Sequence, residues 1–256
     1  MRIRIPARWA RRVWRTLLTL SVAIAGAAHA QVDNAARAFP DKPIRVIAPF
    51  PPGSAGDIVP RIIGQSLGEE FKQNIVVDNR PGAGGNIAAE TVKNSTPDGY
   101  TLMLVTIGTH AINKSLYARL PYDPIKDFAP VVLVGSSPNI LVVTPSLPLN
   151  SVKALAVTSP QRHAALPDVP AMNETLPGFE VTGWYGFVAP AHTPASIVNK
   201  LNAGFVKVLK TKDLRERMAA QGIDPLMSTP EEFAAHIRNE VVKWEKVVKA
   251  SGAKVD

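Results

Sequence analysis

Two rhythms of apolar residues alternate along the chain. Short unbroken runs, the mark of strands buried on both faces, occur from Ile44 to Ala48, Asn74 to Asp78 and Tyr100 to Thr106. Two more, Val131 to Val134 and Ile140 to Thr144, flank Gly135-Ser136-Ser137-Pro138, which reads as a turn. Between and after them the spacing turns helical. Ile58, Ile62, Ile63, Leu67 and Phe71 predict a helix with Asp57 as N-cap and Pro60 third in the first turn, where its missing N–H costs no bond. A small-residue helix is predicted from Ile87 to Lys93, and another pattern starts at Ala111. In the C-terminal part, Thr193-Pro194 opens Ile197, Leu201, Phe205 and Val208, and residues 213–220 make a short helix stopped near Gly222. Thr229 and Glu232 form a capping box ahead of Phe233, Ile237, Val241, Trp244 and Val248. That last stripe suits either a partner helix or the cover of a sheet.

Three successive strand–turn–helix units imply parallel strands with right-handed crossovers, an α/β fold. Their turns share the strands' C-terminal side, where open α/β sheets bind ligands. The first turn, Pro51-Pro52-Gly53-Ser54-Ala55-Gly56-Asp57, offers backbone amides and the positive end of a helix dipole to an anion. It is equally an ordinary tight βα connection. After the third strand, Thr106 and Thr109 can give hydroxyls to the same anion or cap the next helix. The second turn holds Gly82-Ala83-Gly84, but Ile87 stands where a dinucleotide fingerprint needs a small residue. No phosphate loop or Gly-x-Ser-x-Gly elbow is present.

The formal charge of +8 suggests a polyanion partner until its distribution is read. Arg2, Arg4, Arg8, Arg11, Arg12 and Arg15 carry six of those charges, and taking six from eight leaves +2 for the remainder. Those arginines precede a short apolar run, residues 17–25, and Ala28-His29-Ala30. This is the layout of a cleavable signal peptide over residues 1–30, too short to span a bilayer comfortably. An N-terminal membrane anchor is the alternative. The chain has no cysteine, which excludes thiol catalysis and disulfides and suits an exported bacterial α/β protein. His110, His163, His192 and His236 show no paired metal spacing, so neither metal nor cofactor is expected.

An ordered set of turns runs through most of the chain beyond residue 48. It comprises Pro49-Phe50-Pro51-Pro52-Gly53 with Asp57, Asn79-Arg80-Pro81-Gly82-Ala83-Gly84-Gly85-Asn86, Pro97-Asp98-Gly99-Tyr100-Thr101-Leu102 and Leu120-Pro121-Tyr122-Asp123-Pro124 with Asp127-Phe128. Residues 154–159, Leu166-Pro167-Asp168-Val169-Pro170 and Gly178-Phe179-Glu180 follow. In this the sequence resembles the Bug receptors, extracytoplasmic solute-binding proteins of tripartite tricarboxylate transporters. The resemblance implies a type II, Venus-flytrap periplasmic binding protein of two lobes. The resemblance also implies no catalysis, and a monomer that would work with a membrane permease. A small organic carboxylate would sit between the lobes, held by the loop Pro52, Gly53, Ser54, Ala55, Gly56 and Asp57 and by Thr106, Gly108, Thr109 and His110. Trp184 and Tyr185, on a strand that in the family crosses between lobes, are further candidate contacts, or else pack at the hinge. Ser54 stands where the family usually has a second glycine, so a Cβ intrudes on close backbone approach.

The larger departure lies in the second lobe. Residues 142–153 read like its beginning and residues 154–159 like a strand near its end, with most of a domain missing between. The expected organisation is a near-complete first lobe, residues 31–138 with 190–256, and a remnant with the interlobe crossing over 139–189. Such a remnant is too small to hold its own core. Two functions follow: capture of a carboxylate for transport, or a truncated, binding-impaired paralogue that delivers nothing.

Overall fold

The structure, a computed structural model, describes residues 38–143 and 153–255. The expected signal peptide, residues 1–30, and residues 144–152 of the expected entry into the second lobe lie outside the described residues, while the expected join between Lys153 and Ala154 falls within the strand Lys153–Val157. From Lys42 onward the chain forms one unit around a six-stranded sheet. In chain order its strands are β1 (Ile44–Ala48), β2 (Ile75–Asn79), β3 (Thr101–Thr106), β4 (Phe128–Pro138), β7 (Thr182–Pro190) and the short β8 (Asp224–Pro225). They lie side by side as β2-β1-β3-β7-β4-β8. β1 is parallel to β2 and to β3, as the three strand–turn–helix units predict. β7 runs antiparallel between β3 and β4, so a strand expected at the interlobe crossing is also the spine of this sheet.

Helices cover both faces. α1 (Ala55–Phe71) and α5 (Ala195–Leu209) share one side, where Phe187 of β7 packs on Phe205 with ring centres 4.6 Å apart. On the other, α2 (Asn86–Lys93) and α7 (Pro230–Ser251) enclose Ile47, Met103, Val105, Trp184 and Val188. Gly186 makes this possible: a Cβ there would lie 2.1 Å from Phe233 Cζ. The Thr229 box forms as expected, Thr229 Oγ1 accepting the Glu232 N–H at 3.1 Å and the Thr229 N–H donating to Glu232 Oε2 at 2.8 Å. α7 thus covers the sheet. Short helices α3 (Asn113–Leu116), α4 (Met172–Thr175) and α6 (Lys212–Ala219) complete the α-helices among the described residues.

Two local expectations need correcting. Gly135-Ser136-Ser137-Pro138 is strand, because β7 pairs with it residue by residue and β8 pairs at Gly135 and Ser136. A Cβ at Gly135 would sit 2.7 Å from Ile223 Cγ2, so the glycine serves close packing and not a turn. Tertiary pairing overrides turn propensity here. At α1 the N-cap is Ser54, not Asp57, and Pro60 is the sixth helical residue. The Ser54 hydroxyl donates back to the Pro51 carbonyl at 2.7 Å and caps nothing.

Between β4 and β7 the chain makes a two-stranded antiparallel pair, β5 (Ile140–Val143) and β6 (Lys153–Val157). Thr158 clasps its base: its N–H donates to the Asn139 carbonyl and its carbonyl accepts from Val181, both at 3.0 Å. Ile140, Leu141, Val142 and Leu155 remain exposed.

Candidate ligand-binding site

β1 and β3 are adjacent and parallel, so the turns that follow them reach the same edge of the sheet. Gly85, in the turn after β2, shows how closely the three loops meet there. At φ +91° it stands where a Cβ would lie 2.6 Å from Thr109 Cγ2 and 3.0 Å from Pro49 Cβ. Only a residue without a side chain fits both the backbone angle and the space.

The first loop is held from inside. Asp57, 4% exposed, accepts the Gly53 N–H at 2.9 Å, Arg61 Nε at 2.8 Å and Asn79 Nδ2 at 2.9 Å. Asn79 Nδ2 also donates to the Phe50 carbonyl at 2.9 Å, and Arg61 reaches Asn79 Oδ1 at 3.0 Å. The Arg61 guanidinium and the donated N–H groups hold the Asp57 carboxyl down at about 2, against desolvation, which pushes the other way. The carboxylate therefore shapes the loop and faces away from solvent, and its charge is matched by Arg61. Gly53, at φ +83°, spends its amide on Asp57. Ala55 and Gly56 remain as the first two residues of α1, whose amides no turn of helix can satisfy. Pro51, Pro52, Gly53 and Ala55 are exposed, so the loop forms an open shelf.

The β3 side is more buried than the sequence pattern suggests. Thr109 is fully buried, and its hydroxyl both accepts the Thr106 N–H at 3.1 Å and donates to the Thr106 carbonyl at 3.2 Å. His110, also fully buried, packs on Phe128 at 4.8 Å between ring centres. Burial drops its pKa to about 3, so it stays neutral and brings no positive charge to an anion. Beneath them, the Tyr122 hydroxyl donates to the Thr109 carbonyl at 2.6 Å and meets Asn86 Oδ1 at 3.2 Å. Asn113 Nδ2 donates to Asn86 Oδ1 at 2.8 Å and to the Gly84 carbonyl at 3.0 Å. These polar groups are a foundation that ties three loops together. Gly108 is the partly exposed residue at the top of this turn.

Trp184 and Tyr185 point to opposite faces of β7 by strand alternation. Trp184 is buried under α7, its indole N–H on Glu240 Oε2 at 3.1 Å. Tyr185 pairs with Thr106 across β3 and is half-buried near the loop edge. The structure thus gathers Pro52–Gly56, Thr106, Gly108 and Tyr185 toward one side of the sheet and sends Trp184 to the other. Sequence reasoning missed Arg61, Asn79, Asn86, Tyr122 and Asn113. Only Arg61, four residues after Asp57 on one helix face, carried a local signal.

The sequence model of the "Tripartite tricarboxylate transporter family receptor" matches residues 59–154 and 150–253. The chain belongs to that family. Bordetella pertussis BugT is 28% identical over 322 aligned positions, which take in 94% of this chain and 98% of BugT. Among solved structures, an R. palustris protein with adipate superposes with a TM-score of 0.80 at 27% identity, covering 85% of this chain and all of its own. MatC of Rhodopseudomonas palustris, with bound malate, gives 0.74 at 28% identity, covering 82% of this chain and all of its own. The fold is therefore the mixed α/β fold of these periplasmic binding proteins, and the family is one of receptors, not enzymes.

Proposed function

We propose that this chain captures a small organic carboxylate outside the cytoplasmic membrane and presents it to the permease of a tripartite transporter. The observation that carries the reading is the parallel pairing of β1 with β3, which brings the start of α1 and the Thr106–Gly108 turn to one edge. The amides of Ala55 and Gly56, strengthened by the dipole of a 17-residue helix, face a carboxylate there. Tyr185 and the backbone at Gly108 complete the shelf, while Ser54, whose N–H donates to the Pro51 carbonyl, Asp57, Thr109 and His110 shape it from within. Adipate and malate in two related structures support the ligand class. Residues 1–30 act as a cleaved export signal, the mature protein is a periplasmic monomer, and residues 139–189 are what this chain keeps of the second lobe and the crossing.

A specific observation favours a second reading, a binding-impaired paralogue. The two family matches meet at residues 150–154, as two halves do when the middle is absent. In the BugT alignment, 94% of 256 residues is about 241, which leaves about 81 of 322 positions with no residue of this chain opposite. Much of the facing lobe that closes over a solute would then be gone. Each charge-assisted hydrogen bond is worth about 1.5–3 kcal/mol, so missing donors lower affinity by orders of magnitude. Calorimetric titration and thermal shift with adipate, malate, amino acids and small aromatic acids separate the two. Saturable binding by one carboxylate class supports the receptor. A flat response across the panel rejects it and supports the paralogue.

A further inference from the structure

Between β4 and β7, the strands β5 and β6 and residues 159–176 form an arm. β7 runs antiparallel to β3, so the arm rises from the edge where β3 ends and the carboxylate shelf begins. Its root is narrow. Besides its backbone bonds, the Thr158 hydroxyl accepts the Asn139 N–H at 2.9 Å and donates to the Val181 carbonyl, joining the chain that enters the arm to the chain that leaves it. Above that root, neither β5, β6 nor α4 packs extensively on a helix or strand of the main sheet. One recess of about 490 Å³ lies between residues 159–164 and Asp224, and another of about 280 Å³ parts Pro160 and Glu180 from Leu133 and Leu226. A segment with so little buried apolar contact moves at low cost.

Within itself the arm is well tied. Arg162 grips the Glu174 carboxylate through Nε at 2.8 Å and Nη2 at 2.9 Å, and its Nη1 donates to the Pro167 carbonyl at 3.2 Å. The Val157 N–H donates to the Pro170 carbonyl at 2.9 Å. Among the described residues, the side-chain bond that crosses from the arm to the main sheet above the root is His163 Nε2 to Asp224, 3.2 and 3.3 Å from its two oxygens. The Ala165 N–H donates to His163 Nδ1 at 3.3 Å, so the ring proton sits on Nε2 and is given to the carboxylate. Asp224 stands on the far side of the root from the shelf. It pairs with Ser136, Ser136 pairs with Trp184, and the next residue, Tyr185, pairs with Thr106 at the end of β3. Three strand spacings, roughly 14 Å, separate β8 from β3. The bond therefore draws the arm away from the place a solute would occupy.

We propose that the His163–Asp224 contact is a latch that holds this arm open, with Thr158 as the pivot, and that its release lets the arm lean over the shelf. Ile140, Leu141, Val142 and Leu155, exposed on the arm, supply apolar surface for an aliphatic acid. With Asp224 57% exposed, such a contact shifts an equilibrium by about twofold to fivefold, weak enough to be undone. The use of the swing in capture rests on the carboxylate reading above; the latch itself does not. The chain has no cysteine, so Ile87→Cys beside the shelf loops and Asp168→Cys on the arm, both exposed, carry two spin labels whose separation is read by double electron–electron resonance in the full chain. Without solute, His163→Ala and Asp224→Ala each enlarge the short-distance population about twofold to fivefold, with the melting curve unchanged. Amide exchange at Leu166 and Glu174, which donate to the His163 and Ala171 carbonyls inside the arm, stays as slow as in the parent, because the arm swings as a body. Identical distances in the parent and both variants would overturn the latch. So would faster exchange at both amides, which means that the arm unravels and does not swing. Calorimetry with adipate tests the shelf separately: no binding in any of the three chains removes the carboxylate reading and leaves the latch to the distance measurement.

Discussion

Replacing Asp57 by Asn tests whether the loop at the start of α1 is built on a buried charge. The carboxylate holds three donors at 2.8–2.9 Å, namely the Gly53 N–H, Arg61 Nε and Asn79 Nδ2. Its pKa falls from 3.8 to about 2 on folding, and at 1.36 kcal/mol per pKa unit this is about 2 kcal/mol of stability. The sign follows from the direction of the shift. Because the folded pKa lies below the unfolded one, the contribution is complete above about pH 5 and is lost as pH falls through about 2. Urea denaturation of wild type and Asp57→Asn at pH 7 should therefore differ by about 2 kcal/mol, and the gap should shrink to about half that at pH 3. The asparagine keeps shape and volume, so the pH-dependent part isolates the ionised group. A gap of under about 0.5 kcal/mol at pH 7, or one of the same size at pH 3, would refute the reasoning.

Other outcomes follow from the same geometry. Ala55→Asp places a fixed negative charge on the shelf: it should raise helix stability by about 0.5 kcal/mol through the dipole while lowering adipate affinity more than tenfold, read by melting and calorimetry. Gly186→Ala drives a methyl into the Phe233 ring and should cost roughly 1–3 kcal/mol by overpacking in urea denaturation. Tyr122→Phe strips the hydroxyl from the Thr109 carbonyl and Asn86 Oδ1, costing about 1–2 kcal/mol and loosening the carboxylate shelf. Hydrogen exchange at Thr109 and His110 would show the loosening directly.

What the residues alone decided is local and periodic. The β1, β2 and β3 runs, the helices that follow β1 and β2, and the capping box at Thr229 could be read because strand burial and helix capping write themselves into neighbouring positions. The ordered Pro/Gly turns were enough on their own to suggest the family. Tertiary structure decided the rest, wherever a residue's partner lies far along the chain. Gly135-Ser136-Ser137-Pro138 looks like a turn until β7 pairs with it. Asp57 looks like a cap until Asn79, from the end of β2, claims its carboxylate. Thr109 and His110 look available to a ligand until Tyr122 and Phe128 bury them. A polar side chain in a loop has the same letter whether it faces solvent or the interior, and only the packing of distant segments chooses between the two.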